Sequence, residues 1–220
     1  MIFAPSPNFD ERDVPVEFLV LHYTGMQDAA SAIELLSSPA SKVSAHYVVD
    51  ENGTVYSLVP EEKRAWHAGI SYWRGHRMLN GASIGIEIVN PGHEWGYRAF
   101  PAAQMAAVEG LCKEILDRHP IPARNVVAHS DIAPNRKQDP GELFDWPGLA
   151  AAGIGVWTED FRESRDFWGD LAAIGYDVAL PREDVIRAFQ RHFLPQNLSG
   201  EADSATARRA AALRALVDPD

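Results

Sequence analysis

The chain has 220 residues, of which 46% are hydrophobic and 23% are charged, and this composition suits one main globular core with room for a small second domain. Its 20 basic and 31 acidic residues give a formal net charge of −11, which argues against a nucleic-acid-binding surface. No apolar run approaches the roughly 18 residues of a membrane span, so we expect no membrane insertion. The single cysteine, Cys112, excludes an internal disulfide, and the apolar repeat around it predicts a buried thiol.

The first ten residues, 1–10, lack the features of an export leader. They contain no basic segment, no long apolar stretch and no lipobox cysteine, which a secreted or lipid-anchored precursor would carry. If Met1 is the native first residue we expect a cytoplasmic protein, and if a leader has been removed we expect a periplasmic one.

The first 150 residues alternate between strand-like and helix-like segments, which predicts a mixed α/β domain. Asn52-Gly53 is a strong hairpin signal, because both residues tolerate the positive φ of a tight turn. Segment 69–82 has no period and is interpreted as a surface loop beside a binding groove. The predicted strands are 16–22, 44–50, 54–59, 83–89 and 124–129, and the predicted helices are 28–38 and 101–118.

After Asp145-Trp146-Pro147-Gly148 the pattern changes to helices only. The middle helical stretch has an apolar stripe, and Pro181 suits its first turn. We therefore expect a first domain at residues 1–150 and a small three-helix bundle at residues 156–220. Its predicted helices are 158–173, 181–193 and 203–217.

Two imidazoles and a carboxylate occur where strand ends can bring them together. His22 ends the apolar run 16–21, and His129 follows the apolar run 126–128. Asp139 lies ten positions after His129, behind a proline-containing loop that can fold it back toward the strand end. Three protein ligands with water in the fourth position is the pattern of catalytic zinc. The sequence therefore predicts a Zn²⁺ site at His22, His129 and Asp139.

Glu87 and Lys137 supply further chemistry. In segment 83–89 the isoleucines alternate, and Glu87 lies on the opposite strand face together with Gly85. A carboxylate inside an apolar strand is expensive to bury unless it is paired or functional. Burial raises its pKa toward neutrality, which suits a general base. Lys137, two residues before Asp139, can stabilise an oxyanion.

Five motifs occur together and in the order found in a known family. The combination resembles the zinc-dependent N-acetylmuramoyl-L-alanine amidases of type 2, which share their fold with peptidoglycan recognition proteins, and it covers roughly residues 14–148. The resemblance implies a mixed central β-sheet flanked by helices. It also implies hydrolysis of the amide bond between the lactyl group of N-acetylmuramic acid and the L-alanine of the stem peptide. The motifs are His22-Tyr23-Thr24-Gly25, Ser44-Ala45-His46-Tyr47-Val48-Val49-Asp50, Trp66-His67-Ala68-Gly69, Ile84-Gly85-Ile86-Glu87 and the segment 129–141.

The resemblance assigns a role to each matching residue. His22, His129 and Asp139 are the implied zinc ligands, Glu87 the acid/base, and Lys137 the group that stabilises the transition state. Asp139 is similar to the third ligand of bacterial enzymes that recycle or trim cell-wall fragments, whereas related phage amidases have a cysteine there. The implied substrate-binding residues are Tyr23, Tyr47, Trp66, His67, Asn90 and Arg136.

Several of these side chains have a structural alternative. His46 is better interpreted as a hydrogen-bonded core or groove histidine than as a metal ligand, and Tyr47 is equally compatible with a half-buried strand tyrosine. His67 is expected to shape the substrate groove rather than to bind zinc. His119, before a proline, and His192, on a bundle helix, are expected to be structural or solvent-facing.

The C-terminal pattern allows two interpretations. Gly175-Tyr176-Asp177 and the segment 188–193 resemble the small three-helix peptidoglycan-binding domain attached to many wall hydrolases. The alternative is a helical cap that only stabilises the first domain. We expect residues from about 156 onward to pack on the first domain or border its groove, rather than to anchor the protein to sacculi.

The zinc amidase hypothesis has two rivals. The first is a recognition module that binds muropeptides without cutting them, but such relatives usually lose a zinc ligand and this chain keeps all three. The second is a zinc peptidase for another peptide, which leaves the motif 66–69 and the C-terminal helices unexplained. The expected partners are peptidoglycan fragments, bound by a monomer, with the 1,6-anhydro form included among the substrates. The preference between anhydro and ordinary N-acetylmuramic acid stays open.

Overall fold

The computed structural model describes residues 1–218. The strands are β1 (Ile2–Phe3), β2 (Phe9–Glu11), β3 (Phe18–Tyr23), β4 (Tyr47–Val49), β5 (Val55–Ser57), β6 (Lys63–Ala65), β7 (Tyr72–Trp73), β8 (His76–Arg77), β9 (Ser83–Ile88) and β10 (Val126–Ala128). The α-helices are α1 (Ala29–Ser37), α2 (Gly92–Trp95), α3 (Ala102–Arg118), α4 (His129–Ile132), α5 (Trp146–Ala151), α6 (Phe167–Ile174), α7 (Arg182–Phe193) and α8 (Ser204–Val217).

A six-stranded sheet with the order β1-β5-β4-β9-β3-β10 forms the centre of the molecule. Its pairs are parallel except for β4 and β5, which form an antiparallel hairpin across the Asn52-Gly53 turn. The predicted mixed sheet flanked by helices is therefore confirmed. Parallel strands place their carboxyl ends at one edge, so the residues that follow β3, β9 and β10 meet there. In this register His22 lies directly opposite Glu87.

The helix boundaries follow local signals in the sequence. The Asp28 side chain accepts a hydrogen bond from the amide of Ser31, at 2.8 Å, and caps the start of α1, which satisfies one of the free amides of the first turn. Helix α3 ends at Arg118, and His119 precedes a proline that cannot continue it. None of the helices within residues 1–218 is both long and apolar enough to cross a membrane.

The two faces of the sheet bury different sets of side chains. Ile84, Ile86 and Ile88 of β9 pack with Val108 and Ile115 of α3 in one core. Each such buried aliphatic side chain contributes roughly 1.5–3 kcal/mol relative to exposure. The alternate residues of β9, including Glu87, face away from α3, so strand alternation alone places the carboxylate on the other side of the sheet. Cys112 is buried in the α3 core, as predicted.

The C-terminal helices share a core with the sheet. Phe18 and Val127, from β3 and β10, belong to the same buried cluster as Leu171 of α6, Phe189 of α7 and Leu213 of α8. Apolar surface from both predicted domains is therefore removed from water at one interface. This packing agrees with the expectation that the helices lie on the first domain. Residues 219–220 of the predicted second domain lie outside the described residues.

Two predicted segments differ from the structure in kind, and the strands predicted at 44–50 and 124–129 are shorter, at Tyr47–Val49 and Val126–Ala128. The helix predicted at 158–173 is wrong in its first half, because the Asp166 side chain accepts from the Gly169 amide and helix α6 begins only there. Residues 158–166 instead run beside α8, where Arg209 donates to the carbonyl of Thr158. The segment 69–82 is not irregular throughout, since it contains the β7–β8 hairpin and a 3-10 turn. Strands of two residues are too short to show a periodic pattern.

Candidate metal centre

Three predicted ligands converge at the carboxyl edge of the sheet. His22 comes from β3, His129 is the first residue of α4 immediately after β10, and Asp139 lies on the loop that follows. The two Nδ1 atoms are 2.8 Å apart, and Asp139 Oδ2 lies 3.1 Å from His22 Nδ1 and 2.9 Å from His129 Nδ1. All three residues are buried. Their donor atoms thus surround one point, as ligands of a metal ion do.

The donor set fits a zinc ion. Zinc bonds of about 2.0–2.1 Å to nitrogen and oxygen separate tetrahedral donors by about 3.3 Å, so the side chains need to move outward by only a few tenths of an ångström. Two imidazoles and one carboxylate also leave a fourth position for water or substrate. The residues present therefore fit the expected group, and His22, His129 and Asp139 could hold it.

The other ring nitrogen of each histidine is fixed by the protein. His129 Nε2–H donates to the carbonyl of Ala68, at 3.2 Å. His22 Nε2–H donates to His67 Nδ1, at 3.0 Å, and His67 Nε2–H donates to Ser83 Oγ, at 3.1 Å. This network leaves the Nδ1 lone pair of both ligands directed at the metal position. Such outer partners set the orientation and basicity of ligating histidines.

Space for His67 is provided by Gly85 of β9. A Cβ at this position would lie 2.5 Å from Cγ and Nδ1 of His67, far inside the usual carbon contact of about 3.5–4.0 Å.

Gly85 also donates its amide to His46 Nδ1, at 3.0 Å. The interpretation of His46 as a hydrogen-bonded buried histidine is thereby confirmed, because its Nδ1 is occupied by the backbone of β9.

The local electrostatics keep the ligands in their binding forms. Burial, assisted by the neighbouring His129, lowers the pKa of His22 to about 4, so its imidazole is neutral at pH 7. Burial alone would raise the pKa of Asp139, but the charges and hydrogen bonds of His129 and His22 outweigh it and hold that pKa well below its usual range. The site therefore presents a neutral imidazole and a carboxylate at neutral pH.

Glu87 lies beside this cluster with an unusual environment. Its Oε2 is buried and has no hydrogen-bond partner among the described residues. Burial raises the pKa of Glu87 well above its usual range, and the charge of Asp139 adds to the rise while Lys137 opposes it. Such a carboxyl group exchanges a proton more readily near neutral pH than an exposed glutamate does. Glu87 and Lys137 both line the same pocket as the metal ligands.

The pocket over the cluster has a volume of about 380 Å³ and is lined by both apolar and charged side chains. One wall is apolar and is formed mainly by Leu35, Leu36 and Val43, from α1 and the segment after it. The lining also contains the cationic side chains Arg136 and Lys137. A ligand with both an apolar side and anionic or carbonyl groups would be accommodated between them.

Four of the six predicted substrate-binding residues line this pocket. They are Tyr23, Trp66, His67 and Arg136. The Tyr23 hydroxyl lies 2.9 Å from His93 Nδ1. Arg136 is held by the carbonyls of Ala68 and Ile70, at 2.7 and 2.6 Å from Nη2. The side chain of His67 faces His22, so it supports a ligand as well as bordering the pocket.

The structure does not bring Tyr47 or Asn90 to this pocket. Strand alternation turns Tyr47 toward α3, where its hydroxyl donates to Glu61 at 2.7 Å. Arg118 and His119 also donate to Glu61. The Asn90 side chain is buried in its own loop.

The carboxylate of Glu61 is strongly stabilised by these donors. Burial alone would raise the pKa of Glu61, but the hydrogen bonds from Arg118, Tyr47 and His119 outweigh it and lower the pKa to about 2. His119 therefore has a structural partner, as one of its two predicted alternatives requires. Asn90 likewise serves its loop, donating to the carbonyl of Arg98 at 2.8 Å and accepting from the amide of Gly92 at 3.1 Å.

The sequence alone does not indicate that some residues belong to the site or contact it. The apolar wall of α1 belongs to a predicted helix, but periodicity does not say which residues will border a pocket. Asp131, which follows His129 by two positions, bonds with Tyr176 and His192 from the C-terminal region. Sequence separations of 45 and 61 residues leave no local pattern from which such contacts could be found.

The fold and the site together define a hydrolase with the amidase architecture, in which three groups that could hold a metal ion share one pocket with a buried carboxyl group and a cation. The chain belongs to the N-acetylmuramoyl-L-alanine amidase family: the Amidase_2 profile, described as N-acetylmuramoyl-L-alanine amidase, matches residues 12–142. The family assignment made from the five motifs is therefore confirmed.

Relatives and solved structures agree with this assignment. The N-acetylmuramoyl-L-alanine amidase AmiD of Escherichia coli (strain K12) is 42% identical over 90% of this chain and 82% of its own length. Its structure in complex with the substrate anhydro-N-acetylmuramic acid-L-Ala-D-gamma-Glu-L-Lys matches with a TM-score of 0.82 and 40% identity, over 93% of this chain and 91% of AmiD. AMPDH3 from Pseudomonas aeruginosa, in complex with anhydromuramic pentapeptide, matches with a TM-score of 0.82 and 35% identity, over 94% and 93% of the two chains. The 1,6-anhydro-N-acetylmuramyl-L-alanine amidase AmpD of Escherichia coli (strain K12) is 34% identical over 65% of this chain and 86% of AmpD.

Proposed function

We propose that the protein is a zinc-dependent amidase that hydrolyses the bond between N-acetylmuramic acid and L-alanine in peptidoglycan fragments, as part of cell-wall turnover or recycling. The observation that carries this proposal is the convergence of His22, His129 and Asp139 in one pocket with Glu87 and Lys137. The anhydromuramoyl peptides bound to AmiD and AMPDH3 support the 1,6-anhydro form as a substrate.

The residues divide the chemistry between them. A zinc ion held by the two histidines and Asp139 would polarise the amide carbonyl and acidify its bound water. Glu87, whose buried Oε2 has no hydrogen-bond partner within residues 1–218, accepts a proton from the attacking water and returns it to the leaving amine nitrogen. Lys137 places its ammonium group where negative charge develops on the carbonyl oxygen.

The walls of the pocket support a division of substrate contacts. Arg136 and Tyr23 offer polar groups to the carbonyls and carboxylates of a stem peptide, whereas the apolar wall at Leu35 and Val43 suits the non-polar face of the sugar and its lactyl group. We assign residues 1–150 to catalysis and residues 156–220 to a helical cap on that domain. The shared core at Phe18 and Phe189 favours a cap over an independent polymer-binding domain.

One digestion experiment tests the proposal. The zinc-loaded protein is incubated separately with 1,6-anhydro-muropeptides, ordinary muropeptides and intact sacculi, and released stem peptides are measured by mass spectrometry. We expect free peptides beginning with L-alanine from the anhydro fragments, and none from protein in which Asp139 is replaced by alanine. Binding of the fragments without any peptide release, by protein shown to contain one zinc per chain, would favour the recognition module instead.

A further inference from the structure

Asp131 is completely buried and accepts three hydrogen bonds. Its Oδ2 accepts from the amide of Ala128, at 2.8 Å, and from His192 Nδ1, at 2.7 Å. Its Oδ1 accepts from the Tyr176 hydroxyl, at 2.6 Å. One donor is thus the backbone immediately before His129, while the other two come from the C-terminal helical region. An unpaired carboxylate is expensive to bury, so all three donors help to fix Asp131.

The donor from α7 is itself held in a defined orientation. The His192 ring is stacked between the rings of Trp146 and Phe193, with centroid distances of 3.8 and 3.7 Å. This stacking sets the plane of the imidazole and therefore the direction of its Nδ1–H bond. His192 is also buried, so water does not compete for the carboxylate of Asp131.

Helix α7 also contacts the loop that carries Asp139, through the side chain of Arg191. Its Nη2 lies 3.3 Å from Gln138 Oε1, and its Nε lies 3.4 Å from Glu142 Oε2. These two partners flank Asp139 along the chain. The segment that carries His129 and the loop that carries Asp139 are also joined directly, because the amide of Ser130 donates to the carbonyl of Asp139 at 2.9 Å. Two consecutive residues of α7 therefore contact the segment that carries two of the three metal donors.

We propose that α7 and Tyr176 are positioning elements of the metal centre: His192 and Tyr176 hold Asp131 and thereby place His129, while Arg191 holds the loop of Asp139. This inference rests on the proposed zinc site and gives the C-terminal region a task other than polymer binding. The groups act through Asp131 and the loop, and do not touch the metal position themselves. Their loss is expected to weaken the fit of the donors to zinc.

The test uses the full chain and matched substitutions. Tyr176→Phe removes only the hydroxyl that donates to Asp131. His192→Gln and His192→Asn both remove the ring, but only asparagine can place an amide nitrogen near the former Nδ1. Thr206→Val is the control, because Thr206 is buried in the same helical region and accepts from Gln190 at 2.9 Å without contacting the ligand segment. Zinc affinity is measured by competition with a chromophoric chelator, and the visible spectrum of the cobalt-loaded protein reports donor geometry.

We expect Tyr176→Phe and His192→Gln to lower zinc affinity by about tenfold, the low end of the effect of groups that orient metal ligands. Both should alter the cobalt spectrum, and His192→Asn should recover part of the loss. Thr206→Val should lower thermal stability and leave zinc affinity and the spectrum unchanged. If Tyr176→Phe, which is nearly isosteric and expected to fold, matches Thr206→Val in both metal readouts, the inference is overturned and the zinc site stands. Absence of zinc binding by the unsubstituted protein would overturn both.

Discussion

Replacing Gly85 with alanine tests whether His67 holds the proposed metal ligand His22 in place. The new Cβ would lie 2.5 Å from two atoms of the His67 ring and 2.8 Å from a third. Because ordinary carbon contacts are about 3.5–4.0 Å, the ring must retreat by about 1 Å. Gly85 cannot move instead, since β9 is hydrogen-bonded between β3 and β4. The displaced ring loses its contacts with His22, at 3.0 Å, and with Ser83, at 3.1 Å.

The size of the effect follows from these contacts. Each lost hydrogen bond is worth about 0.5–1.5 kcal/mol, and forcing a methyl group into a packed interior costs about 1–3 kcal/mol. We therefore expect Gly85→Ala to lower the free energy of unfolding by about 2–6 kcal/mol. Zinc affinity should fall by about 10–100-fold, since His22 loses the partner that orients it.

The assay is a double-mutant cycle with His67→Ala. Denaturant unfolding and zinc competition are measured for both single variants and for the double variant. Removing the ring creates the space that the new methyl group needs, so Gly85→Ala should cost less than about 1 kcal/mol in the His67→Ala background. Gly110→Ala is the matched control, because a Cβ there meets nothing within 4 Å. Equal losses from Gly85→Ala with and without the His67 ring would refute the reasoning.

Four other substitutions separate the proposed roles of residues within the first domain, residues 1–150. Asp139→Ala should abolish both activity and retention of one zinc per chain, checked by elemental analysis. Glu87→Gln should retain zinc but lose about 10²–10⁴-fold in turnover, because the amide cannot transfer the proton. Lys137→Ala should lower kcat with little change in KM, since the charge that it stabilises exists only in the transition state. Glu61→Gln should destabilise the protein at neutral pH, with a difference from the unsubstituted protein that shrinks as pH falls from about 4.5 toward 2.

The sign of the last effect follows from the depressed pKa of Glu61. Its carboxylate favours the folded state above its ordinary pKa of 4.5, and that contribution is lost as pH falls through about 2. A difference in stability that stays constant over this range would contradict the assignment. For the catalytic variants, near-normal turnover of Glu87→Gln would place the base elsewhere. A raised KM with unchanged kcat in Lys137→Ala would show that Lys137 contributes to substrate binding and not specifically to stabilisation of the transition state.

Most strands and helices of residues 1–150 can be predicted from the sequence, because hydrophobic periodicity and turn residues are local features of the chain. The isoleucines of β9 pack against α3, so Glu87, which alternates with them, lies on the other face of the sheet. On the neighbouring strand β3, His22 is directly opposite Glu87. The same alternation turns Tyr47 away from the pocket, but each strand face around Tyr47 carries apolar residues, such as Val48 on one and Val49 on the other, so the sequence does not reveal which face borders the pocket. The irregular stretch 158–166 looked helical because its composition permits a helix. Helix α6 begins after Asp166, whose side chain caps the first turn by accepting from the amide of Gly169.

Long-range contacts account for most of what the sequence did not reveal. Nothing near Asp131 indicates that its partners are Tyr176 and His192. The five motifs contain the proposed metal ligands, Glu87 and Lys137, but they do not contain Tyr176 or His192, which hold Asp131. The compartment, the oligomeric state and the roles of the individual substrate-binding residues stay predictions.

The common core of sheet and C-terminal helices has a consequence for how the chain can be divided. Phe18 and Val127 on one side, and Phe189 and Leu213 on the other, bury one another. A fragment cut between them would present a contiguous apolar face to water, which favours aggregation. We therefore expect that the C-terminal helices alone, and residues 1–150 alone, would each be less stable than the whole chain. For gene fusion, limited proteolysis and recombination with other hydrolases, we expect the two assigned parts to be stable only when kept together.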